Sequence, residues 1–99
     1  MVLTILEANV RLGQEAALQA AYQAAAAADL PAGLVRTELL RDVREPARWR
    51  IQTWWASRDA LDAMRSAGTP AGVLMFRAAG AEPTLSIFDV VNTIPRAAK

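Results

Sequence analysis

Cysteine and histidine are both absent from these 99 residues, and tyrosine occurs once. Without Cys the chain has no disulfide and no thiolate nucleophile. Without His it has no imidazole base, no His-ligated haem and none of the common zinc sites. An excess of one charge is also missing. Eleven Lys and Arg stand against ten Asp and Glu, a net charge of +1 with no long run of either sign. That leaves no electrostatic footprint for nucleic acid or an anionic membrane. The Ala-rich stretch 16–28 is broken by Gln19, Tyr22 and Gln23 and is too short to span a bilayer. No basic segment precedes the first apolar residues, so no signal peptide is expected and the cytoplasm is the expected location. A Gly-rich phosphate loop, a nucleophile elbow and a metal-ligand cluster are lacking as well.

What is present reads as one small globular unit. Hydrophobic residues make up 54% and charged residues 21%, a composition that folds. We expect one domain over 1–93 and a flexible tail over 94–99. A chain of this size buries only about 60–70% of its unfolded surface, so association with a second copy would help it.

The strongest local signal is Thr53-Trp54-Trp55-Ala56-Ser57-Arg58-Asp59. Two tryptophans in succession on a strand point to opposite faces. A sheet with large rings on both faces needs cover on both. Helices supply one layer, and a partner subunit is the economical source of the other.

Residues 2–10 are β-rich and begin apolar on both faces. From Gln14 to about Asp29 the chain has no Gly or Pro and is dominated by Ala, the strongest helix former. Leu18, Tyr22 and Ala25 share one face of that helix. Pro31-Ala32-Gly33 turns the chain, residues 34–43 form a partly exposed strand, and 44–47 make a hairpin loop to a strand at 48–55. Ser57 is a candidate N-cap with Asp59 in the first turn, for a helix carrying Leu61 and Met64 to about Ala67. Thr69 before Pro70 reads as a second N-cap, opening a short helix with Val73, Leu74, Met75 and Phe76. Thr84 to Val91 is the last strand. The order βαββαβ, with an extra helical turn, predicts an α+β, ferredoxin-like fold with a four-stranded antiparallel sheet.

Several segments are similar to the antibiotic biosynthesis monooxygenase domain family. They are Ile5-Leu6-Glu7-Ala8-Asn9-Val10 followed by Gly13-Gln14-Glu15, Ala32-Gly33-Leu34 followed by Glu38-Leu39-Leu40-Arg41, and Thr53-Trp54-Trp55-Ala56-Ser57 with Ala60-Leu61. The resemblance covers residues 2–91. It implies a dimeric α/β barrel, hence a homodimer with a pocket between sheet and helices in each subunit. The family includes cofactor-free oxygenases of aromatic polyketides and quinols, as well as haem-degrading enzymes. Its pocket Trp matches Trp55. The Asn and axial His of the haem-degrading members match Leu6 and Met75. The Asn, Tyr and Arg of the polyketide oxygenases match Ile51, Leu61 and Phe76, with Arg77 adjacent.

If Trp55 faces the pocket, alternation puts Thr53, Ile51 and Trp49 on the same side, with Thr4 and Leu6 beside them. Leu61, Met75 and Phe76 complete the expected lining. Arg77 is the candidate stabiliser of a substrate anion, its alternative being a solvated helix position. Trp55 serves equally as pocket wall or core residue. Glu7, Arg36, Glu38 and Arg50 are set for cross-strand ion pairs. The resemblance implies a monooxygenase oxidising a quinol or polycyclic phenol with dioxygen and no cofactor. The other reading is a non-catalytic dimeric barrel, of stress-response type, binding a small hydrophobic ligand.

Overall fold

The computed structural model describes residues 1–95. The expected tail over 94–99 therefore lies, for residues 96–99, outside the described residues. The elements are β1 (Val2–Asn9), α1 (Glu15–Ala27), β2 (Leu34–Arg41), β3 (Arg48–Trp55), α2 (Arg58–Ser66), α3 (Ala71–Ala78) and β4 (Thr84–Asp89). All strand pairs are antiparallel, in the order β2-β3-β1-β4. This is the ferredoxin-like arrangement predicted from the pattern of elements. Among the described residues no helix is long and apolar enough to cross a membrane.

The register explains which residues share a face. Rows of directly opposed residues run across the sheet, and every second row points toward the helices. Counting from β1 through β3 to β2, the inward rows are Val2/Trp55/Leu34, Thr4/Thr53/Thr37, Leu6/Ile51/Leu39 and Ala8/Trp49/Arg41. Burial follows them: Val2, Thr4, Leu6 and Ala8 are buried, as are Trp49, Ile51, Thr53 and Trp55.

Helices close this face. Leu18 on α1 and Phe76 on α3 are fully buried and join Trp49, Ile51 and Leu6 in the main core. Leu61 on α2 packs with Val2 and Trp55 in a second cluster. The Ser57 hydroxyl accepts the Ala60 N–H at 3.1 Å, so the expected cap of α2 forms. The cap expected at Thr69 does not. Pro70 itself is the N-cap of α3, with φ −57° and ψ 141°, an extended ψ that holds it outside the helix.

The opposite face is open and mixed. Trp54 points there, as the alternation requires, with Leu3 and Ile5 half-buried and Phe88 exposed. The Arg36 guanidinium lies over the Trp54 ring at 4.5 Å. Arg50 donates to Glu7 at 2.7 and 3.2 Å, and Arg36 pairs with Glu38 at 3.1 Å. The expected cross-strand ion pair thus forms between Glu7 and Arg50, whereas Arg36 and Glu38 pair along β2 itself, both on the uncovered side.

Candidate functional site

A cavity of about 200 Å³ opens between the centre of the sheet and the three helices. Its floor is Thr4, Leu6, Ile51, Thr53 and Trp55, all buried on β1 and β3. Thr37 and Leu34 of β2 continue the floor. Tyr22 and Ala25 look down from α1, and Met64 and Met75 contribute thioethers from α2 and α3. The exposed residues Asp29, Leu30, Pro31 and Ala71 form the rim.

Glycine sets how closely the helices approach. A Cβ at Gly72 would lie 2.6 Å from Leu6 Cδ1, so the first turn of α3 rests against β1 and bounds the cavity. Gly33 has φ +82°, and a Cβ there would strike the Ala60 side chain. The α1–β2 turn can therefore pass under α2 only with glycine at this position.

The polar groups of the floor form one connected set. Trp55 Nε1–H donates to Thr4 Oγ1 at 3.1 Å. The Thr4 hydroxyl in turn donates to the Thr53 carbonyl oxygen at 3.5 Å. Thr37 Oγ1 and Thr53 Oγ1 are 3.1 Å apart, and either can be the donor. A hydroxyl has one proton and two acceptor sites. Thr4 has already used its proton, and one proton of the Thr37–Thr53 pair lies between the two oxygens. The pair therefore keeps one free O–H together with several free lone pairs. Such a floor accepts hydrogen bonds more readily than it donates them. Asp29 is the one charged residue among the described residues of the lining.

Six of the residues expected to line a pocket come together here: Thr4, Leu6, Ile51, Thr53, Trp55 and Met75. Three do not. Leu61 and Phe76 are buried in the core clusters, 1% and 0% exposed, and hold α2 and α3 to the sheet. Arg77 lies one residue beyond Phe76, about 100° round the helix, and so leaves the inner face. Its guanidinium donates to both Glu82 oxygens at 2.8 and 3.0 Å on the surface. Those hydrogen bonds hold the Glu82 carboxyl below its usual range and raise the affinity of Arg77 for its proton. Arg77 is a clasp between α3 and the segment before β4, away from the cavity.

Thr37, Tyr22 and Asp29 join the lining without having been singled out for it. Thr37 was hidden by an irregularity in β2. Leu34 opposes Trp55 and Arg36 opposes Trp54, so Val35 is an extra residue and the alternation changes phase there. Strict alternation from Leu34 would have turned Arg36 and Glu38 inward. The alternating pair Thr37 and Leu39 was the available signal. Glu7 and Glu38 are each tied to an arginine on the open face, away from the cavity. Among the described residues no three His, Cys, Asp or Glu side chains converge on a common point.

Comparison with known proteins places this geometry in a family. The model of the antibiotic biosynthesis monooxygenase family matches residues 1–69. No curated protein sequence matches the chain. A solved structure from Deinococcus radiodurans, a proposed antibiotic biosynthesis monooxygenase, superposes with TM-score 0.75 at 14% identity, covering 99% of this chain and 100% of its own. SnoaB, a cofactor-independent oxygenase from Streptomyces nogalater, gives TM-score 0.70 at 22% identity, with 96% and 97% covered. A variant of MhuD with two manganese protoporphyrin IX molecules per active site gives 0.69 at 23%, with 97% and 100% covered. These structural likenesses establish a shared fold. With the family model spanning β1 through α2, the chain belongs to the antibiotic biosynthesis monooxygenase family.

Proposed function

We propose that this protein is a small cofactor-independent monooxygenase that oxidises a quinol or polycyclic phenol with dioxygen in the cavity beneath α1. The observation that carries this reading is the row Thr4, Thr53 and Thr37, set in an otherwise apolar floor beside the Trp55 indole. A flat ring lies against Trp55 and the Met64 and Met75 thioethers. Its hydroxyl donates to the Thr37–Thr53 pair. Loss of that proton to water at the cavity mouth leaves an electron-rich anion. The pair's free O–H then donates back to the phenolate oxygen.

The anion passes one electron to dioxygen, and the resulting radical and superoxide combine at a ring carbon. The peroxide collapses so that one oxygen remains as a carbonyl and the other leaves as water, carrying the two hydrogens lost by the substrate. The chain excludes bulk water, orients the ring and steadies the phenolate. Arg77 takes no part in this scheme.

The same reading includes a homodimer working in the cytoplasm. A second copy would cover Leu3, Ile5, Trp54 and Phe88 on the open face of the sheet. Dioxygen uptake by the purified protein tests the activity, using hydroquinones, dihydroxynaphthalenes and anthrones as substrates. Uptake above the spontaneous rate, and its loss in Trp55→Ala, is the expected result.

One feature favours the alternative of a ligand-binding barrel without turnover. No cation lines the cavity among the described residues, and Ile51 supplies no polar group at the position matching the family's Asn. Saturable binding with no uptake across the panel would establish that alternative.

A further inference from the structure

The lining carries information about charge that the family assignment does not. Eighteen residues bound the cavity, and among these described residues none is Lys or Arg. The one ionised group is the carboxylate of Asp29, exposed on the rim just beyond the C-terminal end of α1. The floor hydroxyls offer lone pairs and a single uncommitted proton.

A ligand carboxylate or phosphate entering this cavity would give up water without meeting a cation. It would also pass a like charge at the rim. A neutral phenolic hydroxyl brings a proton to a floor that offers lone pairs in excess of donors. We infer that the cavity selects uncharged hydroxylated aromatics over carboxylate-bearing counterparts of the same ring system, with Asp29 as the specificity-determining residue at the entrance. This rests on the proposed site and narrows its substrate class.

The test is isothermal titration of the full chain with naphthol and with naphthoic acid of matching substitution, at about pH 7, where the first is neutral and the second ionised. Naphthol should bind at least about tenfold more tightly. Asp29→Asn should raise naphthoate affinity about threefold while leaving naphthol little changed. Asp29→Lys should raise naphthoate affinity further.

Naphthoate binding as tightly as naphthol to the unmodified chain would overturn the inference and leave the site standing. An unchanged ratio in both Asp29 variants would overturn the assignment to Asp29. If neither compound binds, the proposed site fails and the inference with it.

Discussion

At the scale of single residues, Trp55 and Thr4 decide the character of the cavity. An indole buried to 3% exposure needs a partner for its N–H. Thr4, on the neighbouring strand, supplies it at 3.1 Å. Thr4→Val keeps the shape and removes the acceptor, so the N–H is stranded. We expect a loss of about 1–3 kcal/mol, measured by urea unfolding. Trp55→Phe removes the donor, and in that background Thr4→Val should be much milder. A double-mutant cycle should return about 1 kcal/mol of coupling. Additivity would show that the two groups do not interact. The pairing of Trp55 with Thr4 was half legible in the sequence: alternation placed both on one face, but only the register could set them side by side. Arg77 was the reverse case. Its chemistry suited an anion, yet helical geometry next to the buried Phe76 carries it to the surface and Glu82.

At the scale of elements, turns and caps fix where the strands and helices meet. The order of elements and nearly all their limits follow from apolar periodicity, Ala content and the Gly and Pro breaks. The phase change in β2 does not, because an inserted Val35 leaves no mark in composition. Gly33 carries more than a turn. Its φ of +82° and its contact with Ala60 both exclude a side chain. Gly33→Ala should destabilise the fold by about 1–3 kcal/mol, seen as a lower Tm. A neutral outcome would mean that α2 can lift from the turn freely.

The β2–β3 hairpin depends on Asp42. Its Oδ1 accepts the backbone N–H groups of Glu45 and Arg44 at 3.0 and 2.7 Å, and these hold its carboxyl below the usual range. A lowered folded value means the stabilising contribution is present above the ordinary carboxylate value, near ~4. It is lost as pH falls through the folded value. Asp42→Asn keeps an acceptor and removes the titration. Urea midpoints measured from about pH 5 down to about pH 2 should fall less steeply for the variant than for the unmodified chain. Identical slopes would contradict this role for Asp42.

At the scale of the whole molecule, one face of the sheet is closed by helices and the other is not. The helix-covered face holds the core and the cavity. The open face presents Trp54, Leu3, Ile5 and Phe88 among ion pairs. Adjacent tryptophans in the sequence announced this two-sided character, while the partner itself is a property of two chains. Light scattering after size exclusion should give about twice the 10.7 kDa of one chain. Trp54→Asp should shift the population toward monomer. A stable monomer in the unmodified protein would leave the open face bare and contradict the homodimer.

A flat hydroxylated aromatic should occupy the cavity on the helix-covered side. Nuclear magnetic resonance of the nitrogen-15 labelled protein tests it directly, with a dihydroxynaphthalene added under anaerobic conditions. The three tryptophan indole N–H signals report three places: the cavity for Trp55, the core for Trp49 and the open face for Trp54. The Trp55 indole and the amides of Thr37 and Thr53 should shift saturably while the Trp54 indole stays put. Shifts centred on Trp54 and Phe88, with Trp55 unmoved, would place the ligand on the open face and contradict it.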